Sequence, residues 1–254
     1  MAYSGAAWCE ARQERHAAVT IRSMELMKDG MQPIDWHRVR AMVFDMDGTL
    51  LNTEQVIVQA ASDTLQHLGH APLPAGYHMP NMFGTAADLM TDVLHARGLP
   101  LPPGGKAQAG SLFERFYAAQ PPGVAPLYDG VLPWLQAAQS RGIALAVCTN
   151  KQHALALKGL QAAGILDMFA VVTGRDSCGI AKPRPEPLLH TLSHLGVQAA
   201  DAVFFGDTHA DAACAQAAGV RFAWFSAGFG TARVREFAQA LAFSDFRQLS
   251  FPPA

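Results

Sequence analysis

Short apolar runs recur along the chain at residues 39–44, 143–148, 169–172, 202–205 and 220–225. Each has the length of a strand and is followed by Asp, Thr, Gly or Ser, the pattern of a buried strand. Between most of them the apolar positions recur every three to four residues instead. That spacing predicts helices over 131–140, 152–163, 186–195 and 210–218. Strand and helix alternate, so the expected fold class is α/β with a parallel sheet.

The rhythm fails once. Residues 45–142 separate the first two strands, a span too long for a plain crossover. Within it, 54–68, 86–97 and 107–119 have helical spacing, and Pro/Gly-rich stretches at 71–76, 99–105 and 121–126 divide them. We expect a helical domain over 53–127, inserted into a core formed by 39–52 and 128–254, with 1–38 as an N-terminal extension. The two ends of the insertion then leave the core side by side and can serve as a hinge. Trp134 and the aromatic tail, Phe237, Phe243 and Phe246, read as packing.

Composition narrows the class. Of 254 residues, 50% are hydrophobic and 16% charged, which suits a soluble globular chain. A net charge of −2 marks neither a nucleic-acid nor a membrane partner. Cys9, Cys148, Cys178 and Cys214 are scattered without metal-type spacing, as free thiols in a reducing compartment would be. No apolar run approaches bilayer length, and the first thirty or so residues lack a signal peptide's apolar stretch, so the cytoplasm is expected. Oligomeric state is left open.

The chemistry collects where the predicted strands end, the edge at which open α/β sheets bind ligands. The first strand runs into Asp45-Met46-Asp47-Gly48-Thr49-Leu50. Residues two apart on an extended chain face one side, so Asp45 and Asp47 converge, and Gly48 permits a sharp turn. The second strand ends in Val147-Cys148-Thr149-Asn150-Lys151. A hydroxyl at a helix N-terminus can cradle phosphate, although Thr149 or Asn150 would serve equally as a plain N-cap. Lys182, heading Lys182-Pro183-Arg184-Pro185-Glu186-Pro187, is a cation after a small, apolar stretch. The fourth strand delivers Asp207, and Asp211 follows one helical turn later.

A carboxylate approaching a phosphate dianion is repelled by roughly 4 kcal/mol at about 4 Å and an effective dielectric near 20. A divalent cation and Lys182 can reverse that repulsion. Mg²⁺ prefers oxygen ligands, and Asp45 and Asp207 are its natural anionic partners here. Asp47 is placed to protonate a leaving alkoxide and then to take a proton from water.

The set DMDGTL, VCTNK, KPRPEP and GDTHAD, in that order, resembles the haloacid dehalogenase superfamily, and within it the phosphoglycolate-phosphatase-like branch. The resemblance implies a Rossmann-like core with an inserted helical cap. It also implies a Mg²⁺-dependent phosphatase that hydrolyses small phosphate monoesters, phosphoglycolate-like or sugar phosphates, through a phospho-aspartyl intermediate. Asp45 would be nucleophile and metal ligand, and Asp47 the acid/base that lends its backbone carbonyl to the metal. Thr149 and Lys182, with Asn150 beside them, would bind the phosphoryl group. Asp207 would complete the metal site and Asp211 support it. Met82, Phe83 and Thr85 fall in a segment similar to the cap's substrate-selecting loop. An acid at position 47 argues against dehalogenation, since the dehalogenase branch lacks one there. Asn52 stands where many members carry Asp. A mutase or phosphotransferase of the same superfamily, and a silent binding module on the same fold, are the alternatives.

Overall fold

The computed structural model describes residues 34–252 apart from 78, 80, 81, 83, 122–124 and 231. Residues 1–33 of the expected extension and Phe83 of the expected selecting loop lie outside the described residues. In chain order the elements are β1 (Ala41–Phe44), α1 (Glu54–His67), α2 (Ala86–Ala96), α3 (Gly105–Ala118), α4 (Val131–Gln139), β2 (Ala144–Cys148), α5 (His153–Ala162), β3 (Val171–Thr173), α6 (Glu186–Leu195), β4 (Ala202–Gly206), α7 (His209–Ala218), β5 (Arg221–Phe225) and β6 (Leu241–Phe243). The strands form one sheet in the order β3-β2-β1-β4-β5-β6, and every neighbouring pair is parallel.

All four residues of β1 are buried, as a parallel strand covered on both faces must be. Alternation then sorts the side chains. Met42, Phe44, Val147 and Phe205 pack with α4 and α5, whereas Val43, Ala146, Phe204 and Phe222 pack with α6 and α7. Local signals set the helix ends. Thr85 and Thr208 open α2 and α7 with capping boxes closed by Asp88 and Asp211. Gly196, at φ +67°, ends α6.

The predicted elements lie within about two residues of those observed, β1 starting at 41 and β3 spanning 171–173, and two departures have a local cause. Helix α3 begins two residues before the predicted 107, because Gln108 turns back and accepts the Gly104 N–H at 2.8 Å, which caps the turn. Strand β6 is an addition to the predicted set. At three residues it is too short to carry a period, and Phe243 reads equally as tail packing. It does pack, with its ring centroid 5.3 Å from Phe225 and 4.9 Å from Phe246.

Helices α1, α2 and α3 enclose a separate core around Ile57, Leu65, Met90, Val93, Leu94 and Phe113. Gly110 lets α3 close on α2, since a Cβ there would lie 2.8 Å from that of Ala87. The two connections to the sheet domain run antiparallel beside each other. Asn52 N–H donates to Pro126 O at 2.9 Å, and Tyr128 N–H donates to Leu50 O at 3.1 Å. The helical cap is therefore tethered to the parallel core by this one double connection. Below the sheet, Trp36 meets Trp134 edge-on at 5.7 Å, so residues just before β1 lie against the core.

Candidate active site

Phe44 is level with Val147 of β2 and Phe205 of β4. Asp45, Thr149 and Asp207 consequently stand at three adjacent strand ends, where chain order reverses about β1, the usual ligand position in such sheets. Asp45 N–H donates to Phe205 O at 2.8 Å and fixes the start of the turn. Gly48, at φ +84°, turns the chain back, and a Cβ on it would strike the carboxylate of Asp207.

Asp45, Asp207 and Asp211 are all buried, and each offers a carboxylate oxygen within 4.8 Å of the others. Lys182 Nζ lies 2.5 Å from Asp211 Oδ1 and 2.8 Å from Asp45 Oδ1. Asp207 is held on both oxygens: Thr49 Oγ1 donates to Oδ1 at 2.8 Å and the Phe229 N–H to Oδ2 at 2.6 Å. Asp211 Oδ2 accepts from the Thr208 N–H at 2.9 Å and from its hydroxyl at 2.6 Å. Asp45 Oδ1 is different. It is buried, its charge is met by the Lys182 ammonium at 2.8 Å, and it takes no further hydrogen bond among the described residues.

Burial pushes the Asp45 carboxyl up to about 7, against the pull of Lys182 and with the help of Asp211 and Asp47. Burial, then Asp211 and Asp45, hold Asp207 well above the usual carboxylate range. Burial alone would lower the Lys182 ammonium, but Asp211 and Asp45 outweigh it and hold it well above its ordinary value. Three carboxylates thus crowd together with one ammonium, which pairs with Asp45 and Asp211. Each carboxylate pair repels by about 3.5 kcal/mol at roughly 4.8 Å and an effective dielectric near 20. The oxygen set, its crowding and its excess of carboxylates over ammonium groups fit a divalent cation.

Asp47 does not join this cluster. Its Oδ2 lies 2.7 Å from Lys151 Nζ, while its Oδ1 is buried without a hydrogen-bond partner. The sequence alone assigns Lys151 no role; its one signal there is a cation three residues past the end of β2. Burial works against its charge, yet Asp47 and Tyr117 raise its pKa, and Nζ sits 3.8 Å from the Tyr117 ring centroid. Thr149 is buried, and its Oγ1 accepts the Lys151 N–H at 3.2 Å, which leaves the hydroxyl proton free to donate. Asn150 was expected beside the phosphate. It lines the cleft, and its side-chain amide also grips Lys182: Nδ2 donates to Lys182 O at 3.0 Å, and Oδ1 accepts the Lys182 N–H at 2.8 Å.

A cleft enclosing about 710 Å³, part of it open to solvent, lies between these strand ends and the cap. Asp45, Asp47, Thr149, Asn150, Lys151 and Lys182 line its floor, and Met82 and Thr85 reach its cap wall. The Thr85 hydroxyl is committed to Asp88 at 2.6 Å. Glu114 of α3 forms an ion pair with Arg175, which follows β3, so cap and core are bridged at the cleft.

The model of the haloacid dehalogenase-like hydrolases matches residues 42–225. The chain belongs to this family. A phosphoglycolate phosphatase of Rhodospirillum rubrum is 34% identical over 220 residues, covering 83% of this chain and 89% of the relative. A plasmid-borne phosphoglycolate phosphatase of Cupriavidus necator is 36% identical over 180 residues, 71% of this chain and 78% of the relative. In fold, the chain is similar to the crystal structure of a predicted phosphoglycolate phosphatase from Haemophilus somnus, with TM-score 0.74, 23% identity, and coverage of 85% of this chain and 96% of that one. The chain is thus a phosphatase of the haloacid dehalogenase superfamily, with the Rossmann-like core and helical cap of that fold. Among the described residues, no helix of this hydrolase is long and apolar enough to cross a membrane.

Proposed function

We propose that this phosphatase is Mg²⁺-dependent and hydrolyses small phosphate monoesters through a phospho-aspartyl intermediate on Asp45. The observation that carries the proposal is the cluster of three buried carboxylates, Asp45, Asp207 and Asp211, at the strand ends, with the Lys182 ammonium paired to two of them. Mg²⁺ would be held by Asp45, Asp207 and the Asp47 backbone carbonyl, with Asp211 in support, and would supply positive charge against the carboxylate–phosphate repulsion.

The chain's own residues account for the rest. Thr149, with its free hydroxyl proton, and Lys182 hold the phosphoryl oxygens. Asn150 grips the Lys182 backbone and so sets where that ammonium lies. An Asp45 oxygen attacks phosphorus and the ester P–O bond breaks. The departing alkoxide takes a proton from Asp47, for which the unpartnered Oδ1 is the available carrier while Lys151 holds Oδ2. Asp47, now a carboxylate, takes a proton from water as that water attacks phosphorus. The P–O bond to Asp45 then breaks, releasing phosphate and restoring both acids. Positioning and fixed charge supply most of the rate, as phosphoryl transfer requires. The buried thiols of Cys148 and Cys214, free of any disulfide, support a cytoplasmic site of action.

The test is phosphate release from a panel of monoesters, with Mg²⁺ and with excess chelator, in the wild type and in Asp45→Asn. Release should need the metal and be lost in the variant while the circular dichroism spectrum persists. Full release in chelator refutes the metal assignment. Transfer to an added alcohol in place of free phosphate would favour the phosphotransferase alternative.

A further inference from the structure

The two walls of the cleft differ in kind. On the cap side Ile57, Met82, Leu89, Phe113 and Tyr117 present apolar or aromatic surface, and Glu114 is the one charged cap residue among the described lining. Glu114 is already paired with Arg175. The only Lys or Arg side chains among the described lining are Lys151 and Lys182, both from the core. Each faces an acid: Lys151 lies 2.7 Å from Asp47, and Lys182 lies 2.8 Å and 2.5 Å from Asp45 and Asp211. The phosphoryl group and a divalent cation balance the rest of the charge on the floor. No lysine or arginine among the described lining is left to receive a second anion on the substrate. A carboxylate set against the cap wall would shed water without gaining a partner, whereas an apolar body there gains by burial. On the cap wall Thr85 and Glu114 are committed elsewhere, which leaves the Tyr117 hydroxyl as the main polar group there for a sugar.

We propose that the alcohol half of the substrate is uncharged and largely apolar, so that the carboxylate of phosphoglycolate makes it a poor substrate for this chain. The inference rests on the phosphomonoesterase reading above and narrows it to a substrate class.

The test compares kcat/KM for benzyl phosphate, phosphoglycolate and the neutral amide of phosphoglycolate, at saturating Mg²⁺, by phosphate release. All three lose a primary alkoxide, which keeps leaving-group chemistry similar. Benzyl phosphate should exceed phosphoglycolate by at least about tenfold, the scale of one well-buried apolar group, and the amide should also exceed the acid. Met82→Arg places a cation on the cap wall at a partly exposed position. It should shift the acid-to-amide ratio toward the acid by about tenfold, roughly the worth of one hydrogen bond to a charged group. Phosphoglycolate hydrolysed as well as its amide or benzyl phosphate overturns the inference and leaves the phosphatase reading standing. An unchanged ratio in Met82→Arg also overturns it, since the wall would then not touch the alcohol half. Release from none of the three refutes the phosphatase reading, and the inference falls with it.

Discussion

Replacing Lys182 with methionine removes the one ammonium or guanidinium within ion-pair reach of Asp45 and Asp211 among the described residues, and keeps most of the side chain's bulk. Lys182 is only 4% exposed, so water cannot take its place. Removing one partner of a buried pair costs about 3–5 kcal/mol, because the other charge stays behind unpaired. Here two acids are left. They can escape the cost by protonation, and Lys182 is the main influence lowering the Asp45 carboxyl, which burial already raises to about 7. Without the lysine that carboxyl rises further. An acid raised in the folded state favours folding at low pH, and the benefit disappears as pH climbs through its folded value. The variant should therefore lose about 3–5 kcal/mol near pH 8 and distinctly less near pH 6. The loss is a large part of the roughly 5–15 kcal/mol that domains possess. Guanidinium unfolding in chelator, followed by the fluorescence of buried Trp134 and Trp224, reads it directly. Adding Asp211→Asn removes one stranded charge and should recover part of the loss, a coupling visible in the double-mutant cycle. A loss under about 1 kcal/mol near pH 8, with no coupling, would refute the argument that these charges are held against each other away from water.

Other expectations concern the neighbouring groups. Asp47→Asn should cut kcat for an alkyl phosphate by about a hundred- to ten-thousand-fold, measured by steady-state phosphate release, and a wild-type rate would contradict the proton-carrier role. A Cβ at Gly228 would overlap the Gly48 carbonyl and the Asp207 side chain. Gly228→Ala should thus cost about 1–3 kcal/mol in a thermal melt and raise the Mg²⁺ requirement; an unaltered melt and metal titration would show that the loop yields freely. Burial raises both Asp45 and Asp207 in the metal-free protein, so Mg²⁺ held there would have to displace protons. The Mg²⁺ concentration for half-maximal activity should climb as pH falls below about 7, by up to about tenfold per unit for each proton displaced, and a flat profile would contradict this.

Much of this site is visible in the order of residues, for a physical reason. A parallel strand buried on both faces is a run of apolar residues, and whatever follows it lies at the sheet's binding edge. Asp45, Thr149 and Asp207 are therefore located by the strands before them, and the oversized gap after β1 announces the cap. Partners that meet through space leave no such trace. The Phe229 N–H that fixes Asp207 is a backbone group, identical at almost any residue. Lys151 gains its role only when α3 brings Tyr117 over it, and Glu114 finds Arg175 only after the cap folds back. Asn150 has the chemistry of a phosphate ligand, and only the fold reveals that its amide also holds the backbone of Lys182, distant in sequence.

The central claim is that Asp45 itself carries the phosphoryl group. An acyl phosphate is reduced by borohydride to an alcohol, so quenching a steady-state reaction with borohydride should convert Asp45, and no other acid, to homoserine. Peptide mass spectrometry would locate it within the segment that also holds Asp47, and fragmentation would separate the two positions. Homoserine should form at position 45 only when substrate and Mg²⁺ are both present. Homoserine at position 47 or elsewhere, or none while phosphate is being released and aspartyl phosphate standards are trapped, would contradict it.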